Sequence, residues 1–416
     1  MLALYLLGCC WLLTVTAQLG LPGMPVVPDR YNSYGFPWNR TYLPTEPQQI
    51  HLSITAQGES AKIQFATHQP IQTAFLKYWS KDSSILLNTS HTQSLTPDTG
   101  YRYQVGSVAN SLTLWSAEFE FHTPSSQDDF KFLAIGDLGV NNAVTMEQLV
   151  KRASHYDFFA LTGDQAYDLS DFDGTKGDQY MNFVQPLFAS LPYLGVVGNH
   201  ETAFNYSHYK NRFNIVPYQE SNSIDPLFYS ISYKSLHLIS FSSEFYFDPN
   251  AQTKYPLDWL EADLDLANRR RHLQPWIVFM THRPLYCSGN SSSCHMPSVL
   301  SSLEPILLKH KVDIYMSGHV HNYERTYPMY NSSLQTKSYE NAPTFFQLVI
   351  GNAGQPEGPS DFLPGDPPPW SANRFSGYGF TEFKVSLSEL ELTHLSVNTD
   401  GSLGKIVDHV VVSKTK

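Results

Sequence analysis

The chain is short of cysteine and of charged residues, and basic residues are fewer than acidic ones. Only 4 of its 416 residues are cysteine, and 16% are charged against 42% hydrophobic. That balance excludes an intrinsically disordered chain. The formal net charge of -11 argues against nucleic acid as a partner, because a polyanion binds basic surfaces. Beyond the first residues, the sequence has no apolar run long enough to span a membrane, no internal repeats and no long runs of charge.

The one long apolar run lies at the amino terminus and predicts a signal peptide over residues 1–17. Leu2 to Val15 is almost wholly apolar, and Val15-Thr16-Ala17 has the small-residue pattern of a cleavage site. A membrane anchor is the alternative, since the positive region before the run is missing apart from the amino terminus, but the run is too short to span comfortably. We therefore expect a secreted, extracellular protein with no membrane segment after signal removal, and a lysosomal destination stays open.

Two of the four cysteines, Cys287 and Cys294, lie outside the predicted signal peptide, in a loop rich in Ser, Gly and Asn. In an oxidising compartment their spacing predicts a disulfide that closes a small loop. Free thiols and zinc ligation are the alternatives, and neither suits a wet loop of a secreted protein. The same compartment makes N-glycans possible at five Asn-x-Ser/Thr sequons, which begin at Asn39, Asn88, Asn205, Asn290 and Asn331.

The first part of the chain has an all-β pattern. Short alternating runs separated by turn residues predict an antiparallel, immunoglobulin-like or fibronectin-like sandwich over residues 45–123. Residues 18–44 form an amino-terminal extension, and the polar, proline-broken residues 124–129 form a linker. Leu95–Tyr101 and Trp115–Phe119 resemble segments of a fibronectin type III-like module. Because no group of metal-ligating residues occurs there, we expect the sandwich to support or partly cover the second domain.

Residues 130–416 alternate apolar runs with helix-like segments, which predicts a layered α/β domain. Apolar spacing indicates helices at Val144–Arg152, Asp178–Ser190, Pro256–Asn268 and Pro297–His310. The sequence pattern changes again near the carboxyl terminus. There we expect added antiparallel strands at Phe345–Ile350, Gly379–Val385 and Leu390–Leu395.

Five short segments of this domain place metal-binding side chains at a turn. They are Gly136-Asp137-Leu138-Gly139, Gly163-Asp164-Gln165-Ala166-Tyr167, Gly198-Asn199-His200-Glu201, Met280-Thr281-His282-Arg283-Pro284 and Gly318-His319-Val320-His321. Most of them follow a short apolar run that is typical of a buried strand, and glycine allows a sharp turn there. Ligands at the carboxyl ends of several strands converge on one crevice in open α/β sheets. The combined side chains are enough for two cations.

Taken in order, these motifs resemble those of the purple acid phosphatases, within the calcineurin-like metallophosphatase superfamily. The resemblance extends over essentially the whole mature chain and includes Gly351-Asn352-Ala353-Gly354 and Ser376–Phe380. Tyr167 is its most specific residue, because most metallophosphatases of the superfamily lack a tyrosine ligand at that point. The resemblance implies a metallophosphatase catalytic domain over residues 130–416, an α/β fold with a layered β-sandwich flanked by helices.

The resemblance also implies a binuclear centre of Fe(III) and one divalent metal, which is Zn, Mn or Fe. The implied ligands of the iron are Asp137, Asp164, Tyr167 and His321. The implied ligands of the divalent ion are Asp164, Asn199, His282 and His319, so that Asp164 bridges the two. Ligand chemistry agrees, since phenolate and carboxylate oxygens suit a trivalent ion, whereas imidazole and amide groups suit a divalent one. Such a pair lowers the pKa of a bound water toward ~7, and the hydroxide attacks phosphorus in line with the leaving alcohol.

Two further histidines lie beside these ligands in the sequence. His200 directly follows Asn199 and matches a family histidine that faces the substrate, so we expect it to act in catalysis. His295 follows Cys294 in the loop after His282, where related enzymes carry an acid group, and a solvated loop histidine is the alternative. Any one of these motifs alone would more often be a turn or a core residue, but their order favours a metal site.

Together these features predict a secreted, glycosylated acid phosphatase that hydrolyses small phosphate monoesters. A phosphodiesterase or a nucleotide-hydrolysing metallophosphatase of the same superfamily is one alternative, and Tyr167 argues against a generic member. A non-catalytic secreted protein that binds partners through its sandwich is the other alternative. The complete ligand set argues against that loss of catalysis.

Overall fold

In a computed structural model of the chain, two mixed β-sheets pack face to face and helices cover their outer faces. The structure describes residues 4–10, 40–81, 87–89, 95–140, 142–248, 253–291, 294 and 296–415. In spatial order, the six-stranded sheet consists of Tyr193–Gly195, Phe158–Leu161, Phe130–Ile135, Tyr378–Val385, Glu389–Val397 and Leu403–Ser413. The seven-stranded sheet consists of Phe228–Tyr233, Leu236–Phe241, Trp276–Met280, Ile314–Ser317, Phe346–Ile350, Tyr323–Thr326 and Ser371–Phe375. This arrangement confirms the predicted layered β-sandwich flanked by helices.

The helices predicted from apolar spacing are all present, with ends that differ from the predicted ones by three residues or fewer. The α-helices of the described residues are Met146–Arg152, Thr175–Phe188, Ser207–Arg212, Lys254–Arg269 and Pro297–Lys309. Short 3-10 turns occupy Ala153–His155, Asn199–Glu201 and Glu244–Tyr246, and a small ribbon pairs Met329–Tyr330 with Ser333–Leu334. Within the described ranges, no helix is both long enough and apolar enough to cross a membrane.

The strand Trp276–Met280 shows why the runs before the motifs are apolar without alternation. Trp276, Val278 and Met280 pack into the core between the two sheets. Ile277 and Phe279 point the other way, into the core beneath the helices Lys254–Arg269 and Pro297–Lys309. Successive side chains of a strand face opposite sides, and here both sides are buried, so each position must be apolar.

The carboxyl-terminal strands divide between the two sheets, which corrects one prediction. Phe346–Ile350 is not an added antiparallel strand throughout, because it pairs in parallel with Ile314–Ser317 and antiparallel with Tyr323–Thr326. All five of its residues are buried, as expected for a strand in the middle of a covered sheet. Tyr378–Val385 and Glu389–Val397 pair antiparallel as predicted.

The amino-terminal strands form two further sheets that share one core. The first contains Leu4–Cys10, Ala61–Thr67 and Gln48–Ile54, in that order. The second contains Leu87–Thr89, Thr73–Ser80, Gly100–Ala109 and Leu112–Trp115, and Phe119–His122 pairs with Gly100–Ala109. Ile63, Tyr103 and Phe121 belong to the common core. The boundaries 45–123 and 124–129 stay predictions, as does the signal peptide. Its residues 4–10 form an edge strand, whose removal would leave the other pairing intact.

This amino-terminal sandwich packs against the helix Thr175–Phe188, which follows the Asp164–Tyr167 turn. The backbone N–H of Gln49 donates to Oδ1 of Asn182 at 3.2 Å, and that of Ile50 donates to Oε1 of Gln185 at 2.9 Å. The sandwich is thus tied through specific hydrogen bonds to the helix that backs one turn of the candidate site.

Candidate metal centre

The sequence motifs meet at the carboxyl ends of strands from both central sheets. Asp137 and Asp164 follow two neighbouring parallel strands of the six-stranded sheet. His282 and His319 follow two neighbouring parallel strands of the seven-stranded sheet. Because parallel strands end at the same edge, their turns deliver side chains to one crevice.

Four of the seven candidate ligands have left-handed backbone conformations. The φ angles of Asp137, Asp164, Tyr167 and His319 are 59°, 51°, 56° and 69°. Such conformations cost of order 1–3 kcal/mol for residues other than glycine, and they persist where the surrounding structure enforces them. Their concentration here marks the crevice as a place where the fold gives up stability to position side chains.

Two glycines allow the turns to approach the carboxylates closely. A Cβ atom on Gly318 would collide with Oδ2 of Asp137, and one on Gly198 would collide with Oδ1 of Asp164. Only glycine fits where a backbone passes this near another group. Gly198 and Gly318, which directly precede the candidate ligands Asn199 and His319, are therefore part of the site.

One set of donors, here called the tyrosine group, consists of Asp137, Tyr167 and His321. The Tyr167 hydroxyl lies 3.3 Å from Oδ1 of Asp137 and 3.0 Å from Nε2 of His321. His321 Nε2 lies 3.5 Å from the same oxygen of Asp137. Two oxygens and one nitrogen from three separate turns thus lie within 3.5 Å of one another.

A second set, here called the histidine group, consists of Asp164, Asn199, His282 and His319. His282 stands in its middle, with Nε2 at 3.2 Å from Oδ2 of Asp164, 3.0 Å from Oδ1 of Asn199 and 3.1 Å from Nδ1 of His319. Asp164, His282 and His319 each offer a ligand atom, and these atoms lie within 4.8 Å of one another. The structure therefore brings all seven candidate ligands into two adjoining groups.

Backbone hydrogen bonds join the two groups. The N–H of His319 donates to Oδ2 of Asp137 at 3.0 Å, so this residue gives its ring to one group and its backbone to the other. Buried Glu201 accepts the N–H of Asp164 at 3.0 Å and that of Gly198 at 2.8 Å, which ties their turns together. Asp164 itself contacts the ring of His282 and the backbone N–H of His200. Its bridging of two ions stays a prediction.

The hydrogen bonds of His282 leave one ring nitrogen available to a metal. Its Nδ1 lies 2.8 Å from the carbonyl oxygen of Thr162, which can only accept, so Nδ1 carries the proton. The lone pair of Nε2 then faces Asp164, Asn199 and His319. An outer carbonyl that orients a histidine in this way is typical of metal sites. Together with the carboxylate, phenol and amide oxygens, this donor set fits two cations.

Burial and neighbouring charges shift the pKa values of the site. Burial opposes ionisation of Asp164, but His282 beside it holds the pKa of that carboxyl below its ordinary value. Burial lowers the pKa of His282, but the neighbouring Asp164 outweighs burial and raises that pKa to about 10. Burial and the charge of Asp137 raise the pKa of Tyr167 well above its ordinary value. Burial and nearby His282 lower that of His319. A bound cation would favour the phenolate of Tyr167 and the neutral ring of His282, and so act against both of these shifts.

His200 lies beside both groups and belongs to neither. Its backbone N–H donates to Oδ1 of Asp164 at 3.0 Å, and its ring Nδ1 lies 3.1 Å from Oδ1 of Asp168. The ring is 4.6 Å from that of Tyr167, between centroids, and 27% of the side chain is exposed. Burial lowers the pKa of His200, but the hydrogen bond to Asp168 and nearby acids raise it to about 9. The contact of Nδ1 with Asp168 leaves the second ring nitrogen, Nε2, without a described hydrogen-bond partner.

The predicted disulfide between Cys287 and Cys294 is present and closes the loop after His282. Its sulfurs pack with Val320, which separates His319 from His321, and with Val349. The disulfide loop thus lies against one turn of the site. His295 lies outside the described residues, and its place in the site stays a prediction.

Three charged residues of the site were not singled out by the sequence. Asp168 contacts His200, Arg283 Nη1 lies 3.0 Å from Nε2 of His319, and the carboxylate of Glu244 holds Arg283. Asp168 and Arg283 each follow a candidate ligand directly, and that adjacency is a usable signal. Glu244 comes from a distant turn without a motif, so nothing local points to it.

Comparison with known families agrees with this arrangement. Residues 130–323 match the family described as calcineurin-like phosphoesterase. Residues 345–409 match the family described as iron/zinc purple acid phosphatase-like protein C.

Individual proteins with related sequences or structures extend the comparison. Human acid phosphatase type 7 is 31% identical over 88% of this chain and 90% of its own length. Purple acid phosphatase 22 of Arabidopsis thaliana is 28% identical over 82% of this chain and 80% of its own length. The structure of purple acid phosphatase PPD1 from yellow lupin seeds matches with a TM-score of 0.75 at 21% identity, covering 89% of this chain and 75% of that one. At 21% identity, the similarity to this lupin structure shows a common fold and nothing more.

Proposed function

The chain belongs to the purple acid phosphatases among the calcineurin-like phosphoesterases, and from this membership we propose that it hydrolyses small phosphate monoesters at a centre of Fe(III) and one divalent ion. The observation that carries the proposal is the position of Tyr167. Its phenol oxygen lies 3.3 Å from Asp137 and 3.0 Å from His321, in a buried group that suits a hard, trivalent cation. This group distinguishes the site from a metallophosphatase centre built of carboxylates and imidazoles alone.

In this proposal each group of donors holds one ion. The tyrosine group with Asp164 holds the iron, and the histidine group holds Zn, Mn or Fe in the divalent state. When bound, such a pair supplies Lewis acidity toward the phosphoryl oxygens and an activated water as the nucleophile. The chain contributes the donors, their burial and the turns that fix them.

His200 is the proposed proton donor to the leaving alcohol. Its Nδ1 faces the carboxylate of Asp168 at 3.1 Å, which orients the ring and stabilises its protonated form. The proton on Nε2 is then the one that can pass to the leaving oxygen. Asp168 acts through His200 as a positioning residue, and His295 is the second candidate for contact with the substrate.

We further propose that residues 1–17 are removed and that the protein is secreted, with an extracellular or lysosomal destination. Three of the five sequon asparagines, Asn205, Asn290 and Asn331, are exposed, as glycan attachment requires. Asn39 and the side chain of Asn88 lie outside the described part of the chain. Peptide mapping after glycosidase treatment would identify the occupied positions.

A metal analysis combined with a substrate panel tests the proposed function. The purified protein should contain iron and a second metal, and it should hydrolyse nitrophenyl phosphate and an alkyl phosphate. A bis(nitrophenyl) phosphate should be a much poorer substrate. Faster hydrolysis of the diester would favour the phosphodiesterase alternative. A folded protein that retains no metal and hydrolyses none of these esters would contradict the proposal and favour a binding role.

A further inference from the structure

The guanidinium of Arg283 contacts the histidine group from outside. Its Nη1 lies 3.0 Å from Nε2 of His319, the ring nitrogen opposite the one that faces His282. Buried Glu244 holds the guanidinium with contacts of 2.9 and 3.0 Å to Nε and 2.9 Å to Nη2. The ring of Phe247 lies under it, 4.1 Å from Cζ to the ring centre. Arg283 is therefore fixed against one candidate ligand.

This contact differs in kind from the one that His282 makes. A histidine that binds a metal usually donates its other N–H to a carboxylate or a carbonyl, as His282 does toward Thr162. His319 instead meets a guanidinium, which has only donors. The carboxylate of Glu244 contacts Arg283, and Arg283 in turn contacts the ring of His319.

The donor character of Arg283 decides which nitrogen of His319 has a lone pair. A neutral imidazole has one N–H and one acceptor nitrogen. When Nε2 accepts from Arg283, the hydrogen of the neutral ring lies on Nδ1. A metal ion held by Nδ1 needs the lone pair of that same atom. The guanidinium and the ion therefore require opposite tautomers of the His319 ring.

We propose that Arg283, held by Glu244, is a positioning residue that competes with the divalent ion for His319 and makes the histidine group release that ion readily. Glu244 limits the competition, because its buried carboxylate offsets the positive charge and can accept the His319 N–H if the guanidinium moves aside. The tyrosine group has no arginine among its described contacts, so the effect falls on one ion. The inference rests on the proposed function only in requiring that the histidine group binds a divalent ion.

Zinc retention in variants of the full-length protein tests the inference without using activity. Wild type, Arg283→Met and Glu244→Gln are saturated with Zn²⁺ and dialysed against graded concentrations of a chelator, and bound zinc is measured by elemental analysis. Arg283→Met removes the competing donor and should raise the zinc affinity about tenfold, the lower end of the 10–100-fold effects known for outer contacts of metal ligands. Glu244→Gln leaves the arginine charge uncompensated and should lower the affinity. Arg271→Met is the control, since that guanidinium pairs with Asp313 at 2.9 Å and touches no candidate ligand.

Opposite shifts in the two variants support competition, whereas a purely structural role would lower the affinity in both. Unchanged or weaker zinc retention in Arg283→Met overturns the inference. If that variant does not fold by circular dichroism, Arg283→Lys replaces it. Lysine cannot span from Glu244 to the ring with one rigid fork, so it should also raise the affinity, and a decrease would contradict the inference. If wild type retains no zinc, the same dialysis is repeated with Mn²⁺ and Fe²⁺, and wild type that retains none of the three ions contradicts the proposed function as well. Wild type that binds the ion while Arg283→Met is unchanged contradicts the inference alone.

Discussion

The tyrosine group and the histidine group are held in place by different means. Asp137 is fixed through the backbone, since its carboxylate accepts the N–H of His319 at 3.0 Å and its carbonyl accepts that of Gly354 at 3.1 Å. The histidine group has backbone contacts too, such as the Thr162 carbonyl beside His282, but it also has charged side-chain supports. These are Glu201 at the turn of Asp164 and the pair Arg283–Glu244 at the opposite end. A hydrogen bond from a backbone group is kept when most side chains are replaced, whereas a side-chain contact can be altered by substituting that single residue.

The two groups also differ in the metal-binding atoms that they offer. A phenol oxygen and a carboxylate dominate one, and two imidazoles dominate the other. Oxygen anions favour a hard, highly charged ion and imidazoles favour a divalent one. We infer that the fold keeps the tyrosine group fixed and leaves the histidine group adjustable, and the following predictions test that contrast.

Loss of charge at Asp164 should have the largest effect, because this carboxylate is proposed to serve both ions. Asp164→Asn keeps a residue that tolerates the left-handed backbone. We expect it to lose metal from both groups and to lower kcat by roughly 10³-fold, since metal ions supply several kcal/mol of transition-state stabilisation.

The matched control for that variant is Asp168→Asn, which alters a neighbouring left-handed aspartate outside both groups and should keep both metals. If Asp164→Asn keeps its iron and loses only the divalent ion, the carboxylate belongs to the histidine group alone. The two groups would then be independent sites and not one centre.

Replacement of His200 should leave both groups intact and still remove much of the activity. General acid help is typically worth ~10²–10⁴-fold. His200→Ala should therefore retain metal while the hydrolysis of an alkyl phosphate falls more than that of nitrophenyl phosphate, whose leaving group needs no proton. Asp168→Asn should show the same pattern with a smaller loss. Equal losses on both substrates would make His200 a phosphate-binding residue and not the acid.

The smallest effect concerns a buried histidine on the strand Glu389–Val397 of the six-stranded sheet. Buried His394 lies 3.3 Å from Nδ2 of Asn352 and 2.9 Å from the hydroxyl of Thr381. Burial lowers the pKa of His394 from 6.5 to about 3. Between these two values the unfolded chain binds a proton at His394 that the folded chain does not bind. The contribution of the neutral, buried His394 to the free energy of unfolding is therefore fully present above pH 6.5 and is lost as the pH drops toward 3.

His394→Gln should remove this acid sensitivity. Urea denaturation should show a lower free energy of unfolding at neutral pH and a shallower decline between pH 6.5 and 4 than in wild type. His409→Gln, at a half-exposed position on the neighbouring strand, is the control and should keep the wild-type slope. Parallel pH profiles for wild type and His394→Gln would show that this histidine does not govern the decline.

Much of this architecture follows from local pattern, and the remainder does not. The apolar run Ile277–Met280 predicts a strand because burial on both faces leaves no room for polar residues, and the observed strand is Trp276–Met280. The cysteine spacing predicts the disulfide for a similarly local reason. The pairing of Phe346–Ile350 depends on its neighbours in the sheet, which no short window contains. The hairpin of Phe228–Tyr233 and Leu236–Phe241 was missed, although Tyr229 and Ile231 alternate with Ser230 and Ser232 as is typical of a strand.

The candidate site divides in the same way. Motifs at strand ends locate Asp137, Asp164 and His282, because a turn after a buried strand is visible in the sequence. The grouping of the ligands came from the family resemblance, not from spacing. Glu244 reaches the site only through the packing of its turn against Arg283, a tertiary contact without a sequence signal.

The visible spectrum of the iron-loaded protein tests the central claim most directly. A tyrosinate bound to Fe(III) gives a charge-transfer band, so wild type should be coloured and Tyr167→Phe should lose the band while its fold remains. His200→Ala should keep the colour, because His200 belongs to neither group. Iron-loaded wild type without visible absorption, or a band that survives in Tyr167→Phe, would contradict the assignment of Tyr167 and the distinction between the two groups.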